Sequence, residues 1–524
     1  MLSVRSQRRV LVPVIDLFAG PGGLGEGFSA FEHERLGFDV VLSVEKDPAA
    51  HRTLLLRSFY RGLLAHGDPS LYYEYVKGNV THDALFAAFP EIAAEAEARC
   101  QHLELGPRTT SRVYEHVERA VGYAEHWVLV GGPPCQAYSV VGRSRLTRLE
   151  REKFEENEKH VLYREYLRIL ARYLPPVFVM ENVKGLLSAT YSGDSTFARM
   201  ISDLSSPTVA VRESVNGRKP AVRRGAEYNI LSLVHPCKEM EDLRPSQYVI
   251  ESEKFGIPQR RHRVILLGVR ADLDVRGRLC LKPCLAPSVR SVLSDLPAVR
   301  SQLSHGDQSA EAWARAIRDA FAAFDGAGVD DEVHERMVAS LRCLTTTTGI
   351  GGRSVARRGS LQSSDLTRWL LDPALGVVPN HETRKHIPED LVRYLFAASY
   401  ASVYGASPKL HKFPPGLLPN HQNVPDTLER RHGYFNDRFR VQVADQPATT
   451  VTSHIAKDGH YFIHHDPVQC RSWTVREAAR VQTFPDNYFF EGTRTDQYRQ
   501  VGNAVPPFLA LQIASLVARV LGAT

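Results

Sequence analysis

Residues 9–38 read RVLVPVIDLFAGPGGLGEGFSAFEHERLGF. The first ten form an apolar run of strand length, AGPGG (19–23) breaks it, and LGEGFSAFEHERLGF (24–38) carries apolar residues at helical spacing. A strand that turns into a helix through glycines lets the backbone approach a ligand closely, which a side chain would prevent. Read alone, this turn suits an adenosyl or nucleotide cofactor, or simply a tight connection. Its spacing is not G-x-G-x-x-G, and it lacks the Lys-Ser/Thr of a phosphate-binding loop. Phosphate cradling is disfavoured, and a dehydrogenase with it.

Outward from this stretch the pattern repeats. DVVLSVEKD (39–47) is a second buried strand ending in acidic residues, where Glu45 either accepts hydrogen bonds from two ribose hydroxyls or is a solvated strand end. WVLVGGPP (127–134) is a strand running into GGPPCQAYS (131–139), too broken by Gly and Pro for regular structure, with Cys135 inside it. LYREYLRILARYL (162–174) is helical, PPVFVMENV (175–183) is a strand, and RVILLGVR (263–270) is another. Glu181 follows an apolar run, a costly place for a charge unless it faces a cleft or is paired. It is either a proton donor of raised pKa or a carboxylate bonded to backbone amides. Strands alternating with helices predict an α/β fold, a doubly wound, mostly parallel sheet with its site at the carboxyl ends of the strands. From about residue 285 the alternation is lost, and stretches such as LTTTTGIGGRSVARRGS (344–360) and KFPPGLLPNHQNVPD (412–426) dominate. This region is too long for a loop and predicts a second, irregular mixed domain. Helical patterning returns in WTVREAARVQTFP (473–485) and QVGNAVPPFLALQIASLVARVL (500–521).

The chain has 524 residues, enough for two to four domain-sized units, and is 43% hydrophobic and 24% charged, as ordinary globular proteins are. No apolar run approaches the roughly 20 residues of a membrane helix, and the N-terminus does not read as a signal peptide. Seven cysteines, odd in number and scattered, argue against a disulfide framework and for a reducing, cytoplasmic setting. Cys280 and Cys284 form at most half a metal site, so no metal is expected. A net charge of +6 permits a nucleic-acid partner without demanding one. Arginine clusters in GRSRLTRLER (142–151), QRRHR (259–263) and GGRSVARRGS (351–360).

The predicted fold brings three strand ends to one edge: a cofactor cradle, a loop thiol and a carboxylate. A thiol is a strong nucleophile once ionised, and nearby positive charge such as QRRHR favours ionisation. The combination predicts covalent catalysis beside a bound small cofactor.

DLFAGPGGL (16–24), GPPCQAYS (132–139), FVMENV (178–183), FGIPQRRHR (255–263), TVREAARVQTFPD (474–486) and QVGNAVPP (500–507) together resemble the ordered motif series of the bacterial DNA (cytosine-5) methyltransferases. The resemblance implies that Cys135 adds to carbon 6 of a cytosine flipped out of duplex DNA, since the ring face is unreachable inside the stack. It assigns Glu181 to ring nitrogen 3 and the exocyclic amine, Arg261 and Arg263 to the adduct, and Gln259 to their support. The segment from Gln136 through Ser139 and Arg143 to Arg145 becomes the loop that closes over the base. For S-adenosylmethionine, Phe18 is the adenine-stacking face, Gly20, Gly22, Gly23 and Leu24 the cradle, with Pro133 at the opening loop. Glu45 holds the ribose, and Asn503 and Val505 complete the pocket. Where the family usually has an acidic residue for the adenine amino group, this chain has KGNVTHD (77–83), and Asn79 is the expected substitute.

PNHETRKH (379–386) and RFRVQVADQPATTVTSHIAKDGHYFIH (438–464) resemble target-recognition segments of bacterial members. The expected organisation is therefore a catalytic domain over 1–284, a target-recognition domain over 285–466, and a return of the chain to the catalytic domain over 467–524. Arg438, Arg440 and the arginines of 351–360 are candidates for contacts to bases or phosphates; Thr449 and Thr450 are read as marking the recognition domain's end. The expected partner is double-stranded DNA, with a cognate restriction endonuclease acting separately and the chain itself a monomer. A methyltransferase acting on tRNA and a silent DNA-binding relative are the alternatives. The inserted region argues against the first, and retention of Cys135, Glu181, Arg261 and Arg263 against the second.

Overall fold

The computed structural model describes residues 9–133, 159–191, 194–214, 226–236, 243–274, 279–324, 326–419 and 437–522. Strand β1 (Val10–Leu17) runs through the middle of an eight-stranded sheet and is apolar on both sides because helices cover both faces. Val12 and Val14 enter one core with Phe28 of helix α1 (Gly23–Ser29). Ile15 and Leu17 enter a second with Val113, Val117 and Leu170.

The chain continues through β2 (Leu36–Glu45), α2 (Pro48–His66), α3 (Ser70–Lys77), α4 (His82–Ala88), α5 (Pro90–Arg99), β3 (Cys100–His102), α6 (Thr110–Val121) and β4 (Val128–Gly131). It then forms α7 (Lys159–Tyr173), β5 (Val177–Val183), α8 (Thr196–Ser205), β6 (Tyr228–Ser232), β7 (Val249–Glu251) and β8 (His262–Arg270). Strand order is β3-β2-β1-β4-β5-β8-β6, with β7 also paired to β8. The pairs among β1 to β5 are parallel, whereas β8 runs antiparallel to β5, β6 and β7. This is the expected doubly wound, mostly parallel sheet. Its winding reverses between β1 and β4, which opens a crevice at their carboxyl ends.

Two local expectations change. The helix expected over 24–38 ends at Ser29, because the register Val10↔Leu36 draws the following residues into β2. The 70–99 stretch forms three helices, α3 to α5, inserted before β3. Tyr72, Val76 and Leu85 share a core there with Phe59 of α2 and, from far along the chain, Leu375 and Phe489.

Beyond 285, helices α9 (Ala310–Phe324), α10 (Asp331–Arg342) and α11 (Pro388–Tyr404) enclose a core of their own around Trp313, Ile317, Met337 and Tyr394. Strands β9 (Gly351–Ala356) and β10 (Val377–Glu382) form a separate antiparallel pair, connected through a short helix over Asp365–Leu370. The chain then returns through α12 (Val475–Val481), α13 (Arg494–Asn503) and α14 (Pro507–Val520). Helix α14 packs so closely on α1 that a Cβ on Gly27 would lie 2.4 Å from Leu511 N. Residues 494–520 are apolar enough for a membrane span by composition, but they are mostly buried and complete the first core.

His381, fully buried on β10, joins the two regions: Nδ1 lies 2.9 Å from Thr474 Oγ1 and Nε2 2.8 Å from Pro297 O. Burial pushes its pKa down to about 4. The unfolded chain therefore takes up a proton that the folded chain refuses. The contribution is complete above pH 6.5 and is lost as pH falls toward about 4. Stability of the wild type, measured by urea unfolding against His381→Gln, should fall by about 1.4 kcal/mol per pH unit across that window. Parallel pH profiles for the two proteins would contradict this.

Candidate active site

At the crevice, Phe18 and Gly20 both take φ of 56°, and Gly22 takes φ of 90°. The glycines serve different ends. A Cβ on Gly22 would meet Leu54 Cδ2 at 2.7 Å and one on Gly23 would meet Val505 O at 2.2 Å, so these two permit packing. A Cβ on Gly20 would meet nothing within 4 Å, so Gly20 is the face left open. Leu24 points into the first core. At the end of β2, Glu45 Oε2 accepts from Gly20 N and Oε1 from Asp47 N, both at 2.7 Å. Each oxygen keeps a lone pair, so the carboxylate is fixed in place without being used up.

Asp16, which the sequence reading passed over, is fully buried under this turn. Its Oδ2 accepts from Gly25 N at 3.3 Å, and Oδ1 has no hydrogen-bond partner among the described residues. Burial pushes the carboxyl up to about 7, against the Gly25 amide and Arg61, which pull it down. A charge inside the run VLVPVIDLF was the available signal.

Asn503 is exposed at the end of α13 and Val505 is buried beside Gly23, so QVGNAVPP does return to the cradle. Asn79 does not reach it by way of a strand end. It is exposed in the turn between α3 and α4 and donates to Glu74 Oε2 at 2.7 Å. The strand beside β2 is β3, twenty residues later, and the acidic residue that follows it is Glu104, 3.1 Å from Lys46 Nζ. The inserted helices displaced the motif from where the sequence spacing put it.

One strand over, β4 ends at Gly131 and β5 carries Glu181. Gly132 lies close against Glu181: a Cβ on it would sit 3.1 Å from Glu181 Oε2, a tight contact. Arg263 at the start of β8 places Nε 3.0 Å from Glu181 Oε1, and both side chains are about five-sixths buried. Pro133 is buried beside them. Cys135, Gln136, Ser139 and Arg143 lie outside the described residues.

Arg261 departs from expectation. It is 3% exposed, has no ion pair among the described residues, and donates to Val451 O at 2.7 Å and Gly502 O at 3.3 Å. Burial, with Arg263 alongside, pushes its pKa well down. It is a clamp between main-chain carbonyls, not a group lining the cleft. Gln259 is wholly buried too.

The family described as C-5 cytosine-specific DNA methylase matches residues 114–208 and 379–519. Over 531 aligned residues the chain is 32% identical to the type II methyltransferase M.Bpa9945I of Bacillus paralicheniformis, covering 97% of this chain and 99% of that protein. The chain belongs to the C-5 cytosine-specific DNA methylases. Type II methyltransferase M.AgeI of Thalassovita gelatinovora is 25% identical, with 96% of this chain and 98% of that protein covered. M.DdeI of Desulfomicrobium norvegicum is 23% identical, with coverages of 96% and 88%.

The methylase is thus a DNA (cytosine-5-)-methyltransferase on a Rossmann-like sheet. Of the arginine-rich stretches, 142–151 lies outside the described residues, and in the others several arginines have internal partners while Arg260, Arg353 and Arg358 are exposed. Arg353 lies over the rings of Tyr75, at 4.7 Å, and Phe489, at 4.3 Å, and donates to Tyr75 O at 3.1 Å. Arg357 pairs with Asp295 and Asp486. Arg438 lies 3.5 Å from Asp458, and Arg440 pairs with Asp437 beneath Tyr461. The hydroxyls of Thr449 and Thr450 are engaged by Gln442 and by the Arg260 carbonyl.

Proposed function

We propose that the methylase transfers a methyl group from S-adenosylmethionine to carbon 5 of a cytosine flipped from a specific short duplex sequence, through a covalent bond to Cys135. The observation that carries this reading is the Glu181–Arg263 pair packed against Gly132. Cys135 follows Gly132 by three residues, a reach of at most about 11 Å along the chain. Cys135 adds as thiolate to carbon 6, and electron density moves toward carbon 5 and ring nitrogen 3. Glu181, held by Arg263 on one oxygen, carries a proton on the other and donates it toward ring nitrogen 3, where that charge develops. Loss of the carbon 5 proton after methylation reforms the ring double bond and expels the thiolate.

The residues at the crevice fit the cofactor: Gly20 leaves an open face, Glu45 offers two oriented acceptors, and Phe18, Asn503 and Val505 border them. When bound, S-adenosylmethionine supplies an electrophilic methyl group. Residues 285–466 read the target, between a catalytic first part over 1–284 and its completion over 467–524. The polypeptide works as a monomer on double-stranded DNA in the cytoplasm, as the modification partner of a separate restriction endonuclease. That its relatives are type II methyltransferases supports that pairing.

Expression in a bacterium lacking cytosine methylation, followed by mapping of 5-methylcytosine across its genome, tests the reading. Methylation confined to one short sequence is expected. A blank map from folded protein would overturn the DNA assignment and turn the test to tRNA.

A further inference from the structure

Two buried glutamines lie end to end between the recognition region and the cofactor crevice. Gln259, just ahead of β8, accepts from Val451 N at 3.0 Å through Oε1. Its Nε2 donates to Val481 O at 3.1 Å and to Gln482 Oε1. Gln482, at the C-terminal end of α12, donates from Nε2 to Val501 O at 2.6 Å and Ala504 O at 3.0 Å. Both residues are fully buried. Every amide group in the pair is engaged, which fixes the direction of the chain of bonds: donors face the crevice side and the acceptor faces Val451.

The two ends are also clamped at the backbone. The peptide at Val451 is gripped through its N–H by Gln259 and through its carbonyl by Arg261, which also reaches Gly502 O. Gly502 sits so close to residues 452–453 that a Cβ would lie 2.3 Å from Thr452 C. The Val505 carbonyl, three residues on, occupies the space where Gly23 would carry a side chain.

We propose that Gln482 is a positioning residue for the cofactor: it sets the arm Asn503–Val505 against the glycine turn and, through Gln259, ties that arm to the recognition segment at Val451. Neither glutamine touches the crevice itself; both act through backbone carbonyls. The inference rests on the S-adenosylmethionine reading.

The test uses the full-length methylase with tritiated S-adenosylmethionine and genomic DNA from a bacterium lacking cytosine methylation. Gln482→Met removes two donors and keeps the volume, stranding two buried carbonyls. It should raise KM for S-adenosylmethionine about tenfold and change kcat less than about threefold. Gln259→Met should raise the same KM, and the double variant should be no worse than the larger single change, because both break one chain. Should Gln482→Met fail to fold, Gln482→Asn and Gln259→Met carry the same comparison. An unchanged KM with only a lower melting temperature, or additive effects of the two substitutions, would overturn the proposal. No label transferred by the wild type would instead refute the cofactor reading.

Discussion

Cys135→Ser is expected to abolish methyl transfer while leaving S-adenosylmethionine binding within about twofold of wild type. The reason is chemical: a serine hydroxyl remains protonated near neutral pH, whereas a thiol is partly ionised and intrinsically far more nucleophilic. Without addition to carbon 6, carbon 5 of cytosine lacks the electron density to take a methyl group, so the loss should reach the assay floor. The cradle at Gly20 and Glu45 is built from β1 and β2, one strand away from β4 and its loop, and does not depend on the sulfur. Two measurements separate the roles: label incorporated into DNA, and calorimetric binding of S-adenosylmethionine. A companion test replaces the target cytosine with 5-fluorocytosine. Fluorine cannot leave as the proton does, so wild-type protein should remain bonded to the DNA through denaturing electrophoresis. Residual turnover in Cys135→Ser, or no trapped species from an active wild type, would remove Cys135 from the mechanism.

The second large effect lies away from the chemistry. Arg480 on α12 has no solvent exposure and is enclosed by two equally buried carboxylates. It donates to Asp486 Oδ1 at 2.8 Å and Oδ2 at 2.7 Å, to Asp295 Oδ2 at 2.9 Å, and to Val292 O at 2.9 Å. Arg357 touches the same two acids, so the four charges cancel. Burial raises the cost of charging Asp486, yet Arg480 outweighs it and holds the carboxyl at about 2. Arg480→Leu would leave two buried carboxylates facing one arginine, a loss of about 3–5 kcal/mol. For a cooperative unit of domain size that is roughly 10 °C in melting temperature. Adding Asp486→Asn should recover part of it by removing one stranded charge. A melting temperature unchanged by Arg480→Leu would show that this quartet does not hold the recognition region to the return helices.

Much of this was legible in the sequence, for identifiable reasons. Strands buried on both faces read as continuous apolar runs, so β1, β2, β4, β5 and β8 announced themselves. The glycine turn was legible as the break in an apolar run and Glu45 as the close of one, and the structure joins the two through the Gly20 N–H to Glu45 hydrogen bond. What stayed hidden depends on contacts distant in sequence. Strand β3 is three residues long and follows three inserted helices, so no local period marks it. The reversed direction of β8 is a property of pairing, not of composition. Arg261 and Arg263 look alike in QRRHR, yet Arg263 within β8 meets a carboxylate and Arg261, just ahead of it, meets main-chain carbonyls. The arginines of 351–360 read as one charge run, yet Arg357 meets Asp295 and Asp486 while Arg353 and Arg358 stay exposed, a distinction that composition does not carry.

The helices at 70–99 have a further implication. The first of them, α3, is bonded to the 351–382 stretch and to the return segment: Tyr73 to Asp372 at 2.7 Å, Tyr72 to Asn487 O at 2.6 Å, and Arg353 between Tyr75 and Phe489. The seat of the 285–466 stretch is therefore encoded in two separated parts of the sequence, one of them between β2 and β3. A chimaera that exchanges 285–466 alone would mate a foreign stretch to a native seat. Its Asp372 and Arg353 counterparts would have to meet Tyr73 and Tyr75 as they stand, so replacing one stretch of sequence without the other breaks a shared interface.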